Sequence, residues 1–352
     1  MKVFIAGGGT GGHFYPASAV AESLREKGVT VFYFGTERGI EAVKEFPADH
    51  IELFDITGVR GKGLIKSLKA SAGLLKTAAR LIKVIKKEKP DSVLCFGGYT
   101  SLPLGLAAAV TGTPLFIHEQ NSIPSYTNRI LSRFAREIFI TFEYTSRFFP
   151  ERKTVLSGLP VRKSLKEELR VSPGDARKIL GIEDSRTVLV FGGSQGARKL
   201  AETALKTAEI MDDIQFILIG GKHFPQPESL PENVRYFSYI DTMGIAYQAS
   251  DVVVCRSGAG STYEVMLSGR YPIFVPFPYA ASNHQFFNAL WLKEAGLAEI
   301  IEEKELSPEL LAERISEAFK KDLEAVEKSL KSISIKNAGE IIIDRVINGL
   351  DR

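Results

Sequence analysis

With 352 residues, 44% apolar and 25% charged, and no apolar run longer than 102–110, the chain has material for two ordinary domains and excludes disordered, fibrous and membrane-spanning classes. Met1 leads straight into an apolar strand with no secretory leader, and two cysteines, Cys95 and Cys255, are too few for a disulfide framework, so both read as small buried thiols of a cytoplasmic protein. The net charge of +3 hides an asymmetry: residues 1–162 carry 22 Lys and Arg against 14 Asp and Glu, the remainder 23 against 28, so the first half favours an anionic partner.

In chain order, 3–6 reads as a strand, followed by "AGGGTGGHFYP" (6–16) and a helix over 16–27. Strands follow at 31–34 and 51–55. Residues 62–89 hold nine Lys and Arg and one acid, with leucines and isoleucines recurring near helical spacing. They predict a helix whose apolar side packs on the sheet and whose basic side, with exposed leucines, suits anionic lipid. Strands at 92–96, 115–118 and 137–141 and a helix at 123–134 complete the first half. From Thr154 the pattern resets. "TVLVFGGSQGARKL" (187–200) repeats the opening plan of strand, glycine turn and helix, and strands follow at 215–219, 252–255 and 271–275. The apolar helical stretch 337–350 suits either domain. Alternating apolar strands and helices predict an α/β chain of two doubly wound Rossmann-like domains with parallel sheets. The boundaries are 1–161 and 162–335, with a C-terminal helix at 336–352 able to pack back on the first domain.

Gly7, Gly9 and Gly12 fit the G-x-G-x-x-G spacing of a dinucleotide site. A dehydrogenase also needs an acid at the end of its second strand, and Glu37 lies slightly past that place. His13 has no part in a phosphate-cradling loop. Four more polar loops follow strands: "FGGYTSLP" (96–103), "HEQNSIPSYTN" (118–128), "FGGSQGA" (191–197) and "CRSGAGSTYE" (255–264). Loops after the strands of open parallel sheets line the ligand crevice. Such loops in both halves predict a two-substrate transferase of the GT-B type, with an interdomain cleft.

The segments "GGTGGH" (8–13), "TGVRGKG" (57–63), "GGY" (97–99), "HEQN" (118–121), "GLPVR" (158–162), "GGSQGA" (192–197), "VVCRSGA" (253–259) and "NHQFFNA" (283–289) resemble the MurG family, in the family's order and along nearly the whole chain. Leu159 stands where the family usually has Asn. The resemblance implies an inverting transfer of N-acetylglucosamine from UDP to the C4 hydroxyl of lipid I, the undecaprenyl-diphospho-N-acetylmuramyl pentapeptide, giving lipid II for peptidoglycan. It implies no cofactor beyond the UDP-sugar substrate, and a peripheral place on the cytoplasmic face of the membrane. Cell-wall and division proteins are candidate partners, and nucleic acid is not one. Another GT-B glycolipid transferase, a UDP-sugar 2-epimerase and a non-enzymatic nucleotide-sugar sensor are the competing readings.

No D-x-D motif is present to hold a metal on the diphosphate, and no histidine spacing suggests one. Small residues leading into helices supply main-chain N–H groups instead, so Ser194, Gly260, Ser261 and Thr262 are phosphate candidates. Glu264, one turn into its helix, suits the two ribose hydroxyls. The resemblance places Asn121, Arg162, Ile240 and Gln285 in the donor site, with Ile240 flanking uracil and Gln285 and Asn121 on sugar hydroxyls, and Thr10, Gly11, Gly12 and Ala259 are further donor-site candidates. Tyr99 and Asn128 are acceptor contacts. His13 is the candidate general base, kept neutral by the helix N-terminus, and Glu119 is its rival. His118 and His284 read as structural.

Overall fold

A computed structural model describes residues 1–58, 64–193, 196–221 and 224–348, with only the backbone described over 64–69. The chain divides into two compact units, Met1–Arg162 with Ile335–Arg352, and Lys163–Ser334.

The first unit runs β1 (Lys2–Ala6), α1 (Gly11–Glu26), β2 (Thr30–Thr36), β3 (His50–Phe54), α2 (Leu64–Glu88), β4 (Ser92–Cys95), α3 (Gly98–Thr111), β5 (Leu115–Glu119), α4 (Tyr126–Leu131), β6 (Glu137–Ile140) and β7 (Thr154–Leu156). The strands form one parallel sheet in the order β3-β2-β1-β4-β5-β6-β7. Strand alternation sends Val3 and Ile5 into one core layer and Phe4 and Ala6 into the other. The first layer is closed by Phe14 of α1, with Tyr33 stacked on Phe46 at 3.7 Å. The second is closed by Leu74, Leu81 and Ile85 of α2.

Two expected helices change length. The first begins at Gly11 rather than Pro16, because burial of Phe14 overrides the loop preference of the glycines. The expected 123–134 helix shortens to α4, since Pro124 disfavours helical backbone before it and Ser125 caps the start by accepting from the Asn128 N–H at 3.2 Å. Thr154 does not open a new domain: Thr154–Leu156 is the last strand of the first sheet, paired with β6.

The second unit continues α5 (Lys163–Glu168), α6 (Pro173–Leu180), β8 (Thr187–Phe191), α7 (Arg198–Ile210), β9 (Gln215–Ile219), β10 (Val234–Phe237), α8 (Met243–Ala249), β11 (Val252–Cys255), α9 (Ala259–Ser268), β12 (Tyr271–Phe274), α10 (His284–Glu294), β13 (Glu299–Ile300), α11 (Pro308–Phe319) and α12 (Leu323–Ile333). Its sheet is parallel in the order β10-β9-β8-β11-β12-β13. The last helix, α13 (Ala338–Asn348), belongs to the first unit. It packs on α1 and buries Ile342, Ile343 and Val346 in the core layer of Phe14. Both cysteines are buried, which pushes their thiols far above the usual range; the Glu264 charge adds to the effect at Cys255.

Candidate active site

In each sheet the strand order reverses between its central pair, β1 and β4 in the first unit, β8 and β11 in the second. Loops leaving such a pair are the places where open parallel sheets hold ligands. Most candidate residues lie on these loops and on the one after β5; Arg162 follows β7, Ile240 follows β10 and Gln285 opens the helix after β12.

In the first unit the glycine turn after β1 is already occupied by its own chain. Glu41, buried in the short turn Ile40–Ala42, accepts the Gly9 N–H with both carboxylate oxygens, at 3.0 and 2.9 Å, and the Thr36 N–H at 2.8 Å. Thr100 Oγ1 accepts the Gly8 N–H at 3.0 Å. The turn that resembles a dinucleotide cradle therefore spends these donors internally. Thr10, exposed, precedes α1, and its carbonyl accepts from His13 and Phe14; Gly11 and Gly12 form the first helical turn.

His13 follows, half-buried, with its ring against Gly97 and Gly98. A Cβ on Gly98 would stand 3.0 Å from His13 Cδ2, and both glycines take positive φ, at 81° and 73°, so the ring's seat requires glycine twice. The Tyr99 ring lies against Gly9 and Gly58. His13 Nδ1 is 2.9 Å from Gln120 Oε1, Gln120 Nε2 is 3.0 Å from His118 Nδ1, and His118 Nε2 is 3.0 Å from the Gly158 carbonyl. Burial drives the His118 pKa down to about 4; the Gly158 bond opposes this, and nearby His13 adds to it.

Glu119, the rival base, is fully buried and saturated with donors. Oε1 accepts from the Asn121 N–H at 3.0 Å, and Oε2 accepts from the Ser125 N–H at 2.9 Å and Asn128 Nδ2 at 2.8 Å. That arrangement organises the loop and leaves no exposed oxygen for a substrate proton. Asn128 is also fully buried, donating in addition to the His118 carbonyl at 3.0 Å, so it braces the loop from beneath. Asn121 stays half-exposed beside it. Arg162, half-exposed at the end of this unit, lies with its guanidinium 5.5 Å from the Tyr15 ring centroid.

In the second unit α9 points its N-terminus into the loop after β11. Ala259, Gly260 and Ser261 form its first turn, where N–H groups have no intrahelical acceptor. Open space surrounds the position a Cβ would take on Gly260. Thr262 is turned inward: it is fully buried, and its N–H already donates to the Gly258 carbonyl at 2.9 Å. Half-exposed Glu264 accepts a 3.0 Å hydrogen bond from the buried Tyr247 hydroxyl of α8. Gln285 lies alongside, its Nε2 4.0 Å from the Cβ position of Gly258 and its Oε1 accepting the Phe277 N–H at 2.9 Å. Ile240 is buried in the connection between β10 and α8. Ser194 lies outside the described residues. His284 Nδ1 is 2.8 Å from the Ala281 carbonyl, a local turn contact. Among the described residues no three His, Cys, Asp or Glu side chains converge as metal ligands would.

Sequence reasoning missed Gln120, Gly158, Glu41 and Tyr247. Gln120 and Gly158 lie inside quoted motifs, but their partners are 107 and 40 residues away, and nothing local announces those pairings.

Two parallel α/β units with polar loops at the reversal points of both sheets are the architecture of the GT-B fold, and the family match makes the chain a glycosyltransferase. Residues 3–140 match the glycosyltransferase family 28 N-terminal domain and residues 187–345 the family 28 C-terminal domain, and the chain belongs to this family. A relative from Sulfurihydrogenibium sp. (strain YO3AOP1), named UDP-N-acetylglucosamine--N-acetylmuramyl-(pentapeptide) pyrophosphoryl-undecaprenol N-acetylglucosamine transferase, is 50% identical over 347 residues, 99% of this chain and 98% of its own. One of the same name from Aquifex aeolicus (strain VF5) is 38% identical over 350 residues, covering 98% of this chain and 99% of its own. The crystal structure of MurG from Acinetobacter baumannii superposes with a TM-score of 0.78 at 29% identity, covering 99% of each chain. A UDP-GlcNAc 2-epimerase from Neisseria meningitidis shares the fold at 17% identity, with a TM-score of 0.66 over 99% of this chain and 100% of its own.

Proposed function

We propose that this protein transfers N-acetylglucosamine from UDP-N-acetylglucosamine to the C4 hydroxyl of lipid I, with inversion, giving lipid II for peptidoglycan synthesis. The observation that carries this reading is identity of 50% along essentially the full length of a relative named for that reaction. The site chemistry supports it. Inversion by single displacement needs a base for the acceptor hydroxyl and stabilisation of the departing diphosphate. His13 is the base. Its rival Glu119 is withdrawn into the loop, where it positions Asn121. The N–H groups of Ala259, Gly260 and Ser261 face the diphosphate, Glu264 holds the ribose, Ile240 flanks uracil, and Gln285, Asn121 and Arg162 serve the sugar end of the donor. Thr10, Gly11 and Gly12 open the helix that carries His13, and Tyr99 lies beside that turn as an acceptor contact. Asn128 acts from beneath.

Lipid I is membrane-anchored, so the enzyme works peripherally at the cytoplasmic face. Helix α2 supplies the docking surface, with Leu75, Lys76, Lys83 and Lys86 exposed on its outer side. The deciding assay incubates the protein with labelled UDP-N-acetylglucosamine, with and without lipid I. Transfer only when lipid I is present is expected. Acceptor-independent conversion of the UDP-sugar would favour an epimerase instead. His13→Ala should lower turnover by ~10²–10⁴ with UDP affinity little changed, and a fall below tenfold would remove His13 as base.

A further inference from the structure

His13, Gln120, His118 and Gly158 come from three separate places in the chain, namely the first turn of α1, the end of β5 with the loop that follows it, and the loop after β7. Their polar atoms nevertheless form an unbroken file with spacings of 2.9, 3.0 and 3.0 Å. The file has a direction, because only one of its ends is chemically fixed. The Gly158 carbonyl can only accept, so His118 Nε2 carries a hydrogen. Burial keeps His118 neutral, so its Nδ1 holds a lone pair and must accept. Gln120 Nε2 has two hydrogens and two acceptors in reach, His118 Nδ1 at 3.0 Å and the His118 carbonyl at 3.2 Å. That sets the amide the right way round and turns Oε1 toward His13. An amide oxygen can only accept, so His13 Nδ1 donates. In the neutral ring the lone pair is then on Nε2, to which no described residue donates.

We infer that Gln120 and His118, anchored on the Gly158 carbonyl, are positioning residues that hold neutral His13 as its Nδ1–H tautomer and make Nε2 the proton-accepting nitrogen. This rests on the reading of His13 as general base for its catalytic meaning, but the tautomer itself can be tested separately. A neutral histidine with no partner interconverts between two tautomers, and only one of them presents its lone pair on the outer nitrogen. A fully buried amide with all its hydrogen bonds made removes that choice before substrate arrives. Gly158 enters only through its carbonyl, which also lies 3.0 Å from Ser157 Oγ, so two donors hold it in place.

The test is the ¹⁵N spectrum of the full chain with labelled histidine, His13 being assigned by the signal lost in His13→Ala. At neutral pH we expect His13 to show a protonated Nδ1 and an unprotonated Nε2, and His118 the reverse. Gln120→Met keeps the volume but removes the acceptor. It should shift His13 toward Nε2–H and lower kcat by about tenfold to a hundredfold, the range typical of partners that orient a functional imidazole, with KM for UDP-N-acetylglucosamine unchanged. Gln120→Glu restores an acceptor for Nδ1–H and should recover the His13 tautomer but only part of the lost kcat, because its second oxygen has no hydrogen to donate to His118 Nδ1 and the His118 carbonyl. An Nε2–H His13 in the parent protein overturns the inference whether or not the variants fold. So does a Gln120→Met protein with parental tautomer and parental kcat. If instead the parent shows Nδ1–H while His13→Ala keeps more than a tenth of turnover, the tautomer assignment stands and the base assignment falls.

Discussion

His118 couples the site to stability. Its folded pKa, pushed down by burial to about 4, lies below the ordinary value of 6.5 that applies when the chain unfolds. The unfolded chain therefore binds a proton as pH falls through 6.5, and the folded protein resists doing so until about 4. Stability from this group is present above pH 6.5 and is lost progressively down to pH 4, by about 3 kcal/mol at the limit. Denaturant melts at pH 7 and pH 5 should show this loss in the parent and a smaller one in His118→Asn; equal losses would remove His118 as the titrating group. In the second unit, Glu264→Ala should cost UDP affinity on the order of 1.5–3 kcal/mol, the worth of a hydrogen bond to a charged group. Tyr247→Phe removes one donor to Glu264 and should cost less, as calorimetry with UDP would show. His13 and Glu264 were legible because each lies next to a glycine-rich turn in chain order. Tyr247 was not, since its only signature is contact with a residue 17 positions on.

Among elements, α2 separates two roles that its periodicity left mixed. Leu74, Leu81 and Ile85 are core residues, while Leu75 is exposed. Arg80 is not part of a free basic stripe, because it pairs with Glu52 at 2.5 Å and covers the Phe54 ring. Lys76, Lys83 and Lys86 are exposed on this helix, and on the proposed docking role each would contribute on the order of 1 kcal/mol near an anionic surface. Changing all three to Glu should abolish most binding to anionic vesicles while leaving activity on a water-soluble acceptor analogue. Parental sedimentation of the triple variant with vesicles would place the membrane face elsewhere. Residues 62 and 63 of the expected basic segment lie outside the described residues, as do the side chains of 64–69. Central strands were readable because burial on both faces demands unbroken apolar runs, as in Thr187–Phe191. Of the four edge strands only β3, with its apolar Ile51, Leu53 and Phe54, was readable; β7, β10 and β13 were not, being short and interrupted by Thr154, Arg235 and Glu299.

At the scale of the molecule, the first unit is discontinuous in sequence. Ile342, Ile343 and Val346 are as deeply buried in its core as Val3 or Phe14, whereas the Arg345–Glu137 pair at 3.1 Å lies near the surface and contributes little. Ile343→Ala should destabilise the first unit by about 2–5 kcal/mol and leave the unfolding of Lys163–Ser334 unchanged, which calorimetry on the full chain would resolve as a shift confined to one transition. Apolar patterning pointed to a helix in 337–350, and Ala338–Asn348 is one; which core would take it depends on packing against α1, which no local pattern encodes. The return of α13 also sets an order of events at the ribosome. Domains normally fold in the order they are made. Here the half made first lacks three side chains of its own core until every residue of the second half has been translated. The second unit, continuous in sequence, can close earlier. A nascent chain arrested after Arg162 therefore exposes the apolar side chains that α13 would cover to chaperones and to other nascent chains, and they remain exposed until α13 emerges.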